Sequence, residues 1–312
     1  MQLLKCLLLV FSIISMSACA LTKEPSSNYG ITVKQFGAVG DGKTDDTAAI
    51  QKALNFAAEK NIGNPVIFPS GGYVISKPLT LPVNVDLIGG GIGFFASIIP
   101  VDCDGIWIKG ETQKGGYAFR NKIQSLNINM LRATKGTAII IDKAYNIKLA
   151  DVFIYSAPDI GIDLKNSRHI TFDNVIVYGA LVNKGIGIKV SDSIVNMYNI
   201  DIESVSVALE IGPDKLNNTN VSVFGGYIER IGKFGVNIIN SAHNTFIGLN
   251  VETDSSEKIP VNINGLPMNQ SLEKSNTFIG GYIGYEKHVD KGKSKAKEFE
   301  LNKISNAINV GD

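Results

Sequence analysis

Ile147–Tyr155 reads IKLADVFIY, and the same short pattern returns as ITFDNVIVY (Ile170–Tyr178), VNMYNIDIE (Val195–Glu203), VSVFGGYIE (Val221–Glu229), NTFIGLNVE (Asn244–Glu252) and NTFIGGYIG (Asn276–Gly284). Apolar residues occupy the same slots in each copy. The closing positions, Tyr155, Tyr178, Glu203, Glu229, Glu252 and Gly284, are spaced by roughly 23–26 residues, with one longer step before Gly284, which is the period of a solenoid. In such a chain each unit buries its apolar face only against its neighbours.

Within a copy, two short alternating runs meet at a bend. Asp151, Asn174, Asn199, Gly225, Gly248 and Gly280 hold that bend, and all are residue types that accept left-handed backbone or bond to it locally. Upstream of each copy lies another short β pattern: AIII from Ala138, GIDL from Gly161, GIKV from Gly187, ALEI from Ala208, GVNI from Gly235 and PVNI from Pro260. Each strand would then lie beside its counterpart one period later, making parallel sheets. The expected fold is all-β, a single-stranded right-handed parallel β-helix, the hand following from the dominance of right-handed β crossovers.

Outside the repeat, Met1–Ala18 has Lys5 followed by an apolar run and reads as a secretory signal, too short for a spanning helix. Its end, Met16-Ser17-Ala18-Cys19, resembles a bacterial lipobox, which implies lipidation of Cys19 and a membrane anchor. Ala20 after that cysteine implies the outer membrane. The expected organisation is a signal over 1–18, a polar tether over 19–29, one β-helix domain over 30–285 and a charged tail or cap over 286–312. A net charge of +1 gives no field that would recruit nucleic acid. With Cys19 lipidated, Cys103 is the one cysteine left after cleavage, so no disulfide is expected, and no Cys/His spacing fits a structural metal site.

Ile31–Lys60 reads ITVKQFGAVGDGKTDDTAAIQKALNFAAEK. Ile31, Val33 and Phe36 suit a strand and Gly37, Gly40 and Gly42 a tight loop. Thr44, Asp45 and Asp46 suit a helix N-terminus, with Ala49, Ile50, Ala53, Leu54 and Ala57 on one helical face. An open solenoid end would expose apolar side chains and unpaired strand edges, so this helix is expected to be its cap. Loop and cap roles account for Asp41, Asp45 and Asp46.

That run, with PVIFPSGGYVIS and LTLPVNVDLIGGG after it, resembles the N-terminal region of the pectate-lyase superfamily, in the branch of rhamnogalacturonase-like and epimerase-like proteins and phage tailspikes. The local likeness covers about Ile31 to Gly91, and the repeat extends it to about Tyr285. It implies a right-handed parallel β-helix and a carbohydrate ligand, and the tailspike likeness raises a homotrimer as an arrangement to test.

Side-chain alternation turns Val175 and Val177 inward and Ile176 and Tyr178 outward. Along the stack, the two outward slots hold Asn127 and Asn129, Phe153 and Tyr155, Ile176 and Tyr178, Asp201 and Glu203, Tyr227 and Glu229, Asn250 and Glu252, then Tyr282 and Gly284. Aromatic rings suit sugar faces and carboxylates suit sugar hydroxyls or acid/base work. Strand neighbours sit about 4.8 Å apart and alternate residues of one strand roughly 6.6 Å apart, so stacked acids must push at least one carboxyl upward. A raised carboxyl is what a glycosidase uses as general acid. Asp201, Glu203 and Glu229 are the catalytic candidates; Tyr155, Tyr178, Tyr227, Arg230 and Glu252 are the substrate-binding ones. The competing reading is a row of solvated surface acids.

The polygalacturonase hallmarks Asn-Thr-Asp, Asp-Asp, Gly-His-Gly and Arg-Ile-Lys are absent as such, as is the Asp-Pro-His-Glu of alginate-type epimerases. His169 and His243 fall three coils apart, too far to act together. Trp107 could stack on a sugar or pack under the loop that follows it. Two functions follow from these residues. One is a polysaccharide hydrolase or lyase of the cell envelope with no cofactor, its lyase variant using calcium held by the same acids, with Arg230 as base. The other is a non-catalytic, lipid-anchored glycan-binding or structural protein.

Overall fold

A computed structural model of the chain describes residues 30–60, 65–90, 96–179, 184–212, 219–253, 258–264, 276–285 and 308–310. The signal, the tether with Cys19, and the charged run 286–300 with Phe299 lie outside the described residues, as do Leu301 and Ile304. What is described is a parallel β-solenoid of about eight turns with one helix near its start. Every strand pairing is parallel, and successive coils stack in register: Leu149 faces Phe172, Phe172 faces Met197, and Met197 faces Val223.

The long strands Ala144–Tyr155, Arg168–Tyr178, Ile194–Glu203 and Asn220–Glu229 share one bend slot in their second halves. The bend residue is left-handed in all six copies: Asp151, Asn174, Asn199, Gly225, Gly248 and Gly280 have φ of 52°, 53°, 50°, 71°, 66° and 61°. The amides bond along the stack: Asn174 Nδ2 donates to Asp151 Oδ1 at 2.8 Å and Asn199 Nδ2 to Asn174 Oδ1 at 3.3 Å. At Gly226, φ is 121° and a Cβ would lie 2.2 Å from the Ile200 carbonyl oxygen, so only glycine fits this approach. The upstream strands form a second, nine-stranded sheet, to which Ile308–Val310 adds a last strand beside Ile259–Asn264. Leu149, Val152, Ile154, Phe172, Val175, Val177, Met197, Ile200 and Ile202 fill the interior.

The helix Thr47–Lys60 buries Ile50, Ala53, Leu54 and Ala57 over the first strands, as its spacing predicts. Before it, the expected strand is shorter. Ile31–Thr32 is extended, but Val33–Phe36 is a 3₁₀ turn, because Gln35 Oε1 accepts the Thr32 N–H and Gly37 ends the turn at φ 100°. The three acids here serve the backbone. Asp46 accepts from the Val39 and Gly40 N–H groups at 2.6 and 2.9 Å, Asp45 from Thr47 N–H, and Asp41 from Lys43 and Thr44 N–H. The Thr44 and Lys43 N–H bonds hold the Asp41 carboxyl below its ordinary value, and the Ser76 and Thr47 hydroxyls, which donate to Asp45, do the same there.

Candidate functional site

Ladder register brings the predicted row together. Tyr155 lies beside Tyr178, Tyr178 beside Glu203, and Glu203 beside Glu229; one slot back, Phe153, Ile176, Asp201, Tyr227 and Asn250 are neighbours in turn. Ile228 pairs with Val251, which carries Glu252 into the next coil of the same wall, where it faces Gly284. Backbone pairing therefore fixes the row, with no loop needed to assemble it.

The first aromatic pair works differently from the expectation of open rings. Tyr155 and Tyr178 stack on each other, centroids 5.5 Å apart and planes 15° apart, and the Arg230 guanidinium lies 5.8 Å from the Tyr178 centroid. Their faces are largely occupied, leaving edges and hydroxyls to a ligand. Tyr227 is the open ring: it is 59% exposed, with no ring, hydrogen-bond or ion-pair partner among the described residues. Trp107 is not open either, since Lys109 Nζ lies 3.5 Å from its centroid and its Nε1 donates to Asp104.

The carboxylates divide by environment. Glu203 accepts a hydrogen bond from Arg230 Nη2, Glu229 is exposed, and Glu252 is half-buried. Asp201 is half-buried, and its Oδ1 has no hydrogen-bond partner among the described residues. Burial pushes its carboxyl above the ordinary value, Glu203 and Glu229 push the same way, and Arg230 opposes them. Asp201 is thus a raised acid within the row. No three His, Cys, Asp or Glu side chains converge as metal ligands among the described residues.

One further expectation needs correction. Asn127 keeps the outward register, but it is fully buried, with its Nδ2 on Ser97 Oγ at 2.8 Å, so the open wall begins later in the stack. Sequence reasoning missed a pocket of about 720 Å³ where the wall turns its corner. Residues 130–131, 133–134, 156–159 and 184–185 frame it, reaching from Met130, next to Asn129, to Lys184, just past the Tyr178 coil. The step from Tyr178 to Glu203 is longer than the step before it, and those extra turn residues were the one available signal. His169, near the start of the strand Arg168–Tyr178, and His243 both have left-handed backbone, φ 58° and 62°.

The chain is similar to known proteins, locally in sequence and more widely in fold. A 64-residue stretch is 42% identical to the pre-neck appendage protein of Bacillus phage B103, covering 20% of this chain and 7% of that protein. A 68-residue stretch is 48% identical to alginate lyase 7 of Azotobacter vinelandii, covering 20% of this chain and 8% of the lyase. The chain thus spans under a tenth of the length of either. The crystal structure of PfbA, a surface adhesin of Streptococcus pneumoniae, superposes with a TM-score of 0.60 at 18% identity, over 81% of this chain and 68% of the adhesin. The enzymatically active domain of bacteriophage CBA120 tailspike protein 2 gives 0.56 at 15% identity, over 77% and 39%. At those identities the likeness concerns the fold. The family model for rhamnogalacturonase A/epimerase, pectate lyase-like proteins matches residues 30–222, well over half of the chain, and the protein belongs to that family.

Proposed function

We propose that the outer wall binds a polysaccharide and hydrolyses a glycosidic bond in it, with Asp201 as general acid. The observation that carries this reading is Asp201 itself, a half-buried carboxyl with an unpartnered oxygen and a raised affinity for its proton, directly beside the open ring of Tyr227. A sugar packed on Tyr227 brings its glycosidic oxygen to Asp201, which donates its proton as the C–O bond breaks. Water attacks the anomeric carbon and passes its proton to Glu229, the exposed carboxylate of the next coil. Arg230 holds Glu203 and covers Tyr178, bounding the site on one side. The calcium-assisted elimination is not preferred, since the acids do not converge as a ligand set. Lipidation of Cys19 would place the wall at the cell envelope.

A non-catalytic glycan-binding role is the second reading. It is favoured by the Arg230–Glu203 ion pair, which commits one carboxylate and the only arginine of the row to each other. Incubation of the protein with a panel of polysaccharides separates the two readings. Hydrolysis gives new reducing ends that fall about 10²-fold or more in Asp201→Asn, the scale of a lost general acid. Retention of glycan with no new ends, unchanged by Glu203→Gln plus Glu229→Gln, selects the binder.

A further inference from the structure

In the ladder, Lys109 is the partner of Asp142 and Ala118 the partner of Ala144. Between those aligned positions one coil has a single residue, Lys143, where the coil before it has eight, 110–117. An insertion confined to one unit of a solenoid stands out from its surface without disturbing the stack. This one is tied down: Gln113 Oε1 accepts the Val83 N–H at 3.1 Å, and Gly110 O accepts the Gln113 N–H and Gln113 O the Gly116 N–H, both at 3.0 Å. Its last residue, Tyr117, meets Tyr145 edge-on with ring centroids 5.7 Å apart, and Tyr145 lies beside Phe119 in the ladder.

Tyr117, Tyr145 and Phe119 are 51%, 40% and 36% exposed, an aromatic patch open to solvent. Lys114, Arg120 and Lys143 are exposed beside these rings in the chain and form no ion pair among the described residues. Lys109 adds a fourth cation, over the ring of Trp107, whereas Glu111 is the one acid within 109–120 and 143–145. Arg168, the next ladder neighbour of Tyr145, is committed to Asp192 and bounds the patch on that side.

Rings ringed by Lys and Arg match the boundary of an anionic bilayer, where aromatic side chains settle among the headgroups and cations meet the phosphates. The acidic wall is at the other end of the long strands: Tyr145 and Tyr155 share one strand, ten residues apart and on either side of the bend at Asp151. Entry of the chain favours a lipid surface over a soluble anion. Ile31 pairs with Val66, Val66 with Leu87 and Leu87 with Ile123, which puts Ile31 roughly 14 Å from Ile123. Because those strands are parallel, Gly30 comes in from the side on which Phe119 precedes Ile123. Cys19, the residue expected to carry a lipid, is eleven residues before Gly30, a reach of at most about 40 Å. A lipid there and the patch can meet the same membrane.

We propose that Tyr117, Phe119 and Tyr145, with Lys114, Arg120 and Lys143, form a contact surface for an anionic lipid bilayer. Contact through this surface turns Asp201, Glu203, Glu229 and Glu252 away from the like-charged membrane. The surface is independent of the chemistry assigned to the wall.

Sedimentation with vesicles tests it, using the chain from residue 19 onward with Cys19→Ser so that no acyl chain contributes. The vesicles are phosphatidylcholine alone or with about one-third phosphatidylglycerol. The expected result is binding to the mixed vesicles tighter by about tenfold or more, falling as salt is added. Lys114→Gln plus Lys143→Gln should abolish that preference, and Tyr117→Ser plus Tyr145→Ser should weaken binding by about tenfold or more. Both variants alter exposed side chains and should keep the Tm of the parent and its retention of soluble polysaccharide. No vesicle binding by the parent, equal binding to the two vesicles, binding insensitive to salt, or binding that both variants keep would overturn the surface. Loss of polysaccharide retention in the variants with vesicle binding intact would make the patch a glycan platform and overturn it equally.

Discussion

At Asp201, charge and burial can be followed to a sign. Burial favours the neutral acid, so the folded chain holds this proton more tightly than the unfolded chain, whose value is about 3.9. The group's contribution to stability is therefore full below that unfolded value and falls as pH rises through the raised folded one. Asp201→Asn removes the fall. Thermal unfolding should show the variant more stable than the parent at pH 7, with the gap narrowing as pH is lowered towards 4; a gap independent of pH would mean the carboxyl is not raised. Tyr227 makes a plainer case. Its exposed ring has nothing to hold in the fold, so Tyr227→Ala should leave the unfolding free energy within about 0.5 kcal/mol of the parent. It should weaken polysaccharide binding by about 1 kcal/mol, roughly fivefold, in a retention assay. Sequence alternation placed both residues on the wall because a period of two is a backbone property. It could not see that Tyr155 and Tyr178 use each other's faces, because side chains from different coils settle that contact after the backbone is set.

The element that sets the wall is the bent strand. Its left-handed residue keeps every coil turning at the same point, and the Asp151–Asn174–Asn199 amide ladder ties three of those bends together. Asn174→Val puts a β-branched side chain at φ 53° and removes both bonds, so urea unfolding should report a loss of about 1–3 kcal/mol, whereas Asn174→Gly keeps the backbone allowed and should cost less. An equal loss for both would show that the bonds matter and the backbone does not. All six bends were legible because Asp, Asn and Gly are the residues that tolerate this conformation. The 3₁₀ turn at Val33–Phe36 was not, because its apolar spacing also suits a strand and the Thr32–Gln35 capping bond decided between them. Likewise Asn127 read as an outward wall residue from register alone, and burial against Ser97 is a tertiary fact.

For the whole molecule, the stack behaves as a column whose coils lean on their neighbours, with the helix Thr47–Lys60 over its first strands. Leu54 is fully buried on the inner face of that helix, so Leu54→Glu should lift the cap, expose strand edges and move the protein to aggregates in size-exclusion chromatography. A monodisperse variant would show that the end needs no cover. The solenoid and its cap were readable from period and amphipathic spacing, since both are dictated by local pattern. The corner pocket was not, because it is made where turns of unequal length meet across coils and no repeat encodes it. The central claim is that Asp201 supplies the proton for glycosidic cleavage on this wall. Its most direct test is the release of reducing ends from acidic and neutral polysaccharides by the parent protein and Asp201→Asn, side by side at equal concentration. The account predicts release from at least one acidic polysaccharide by the parent and about 1% or less of that rate in the variant; equal release by the two proteins, or glycan retained by the parent with no bond broken, would contradict it.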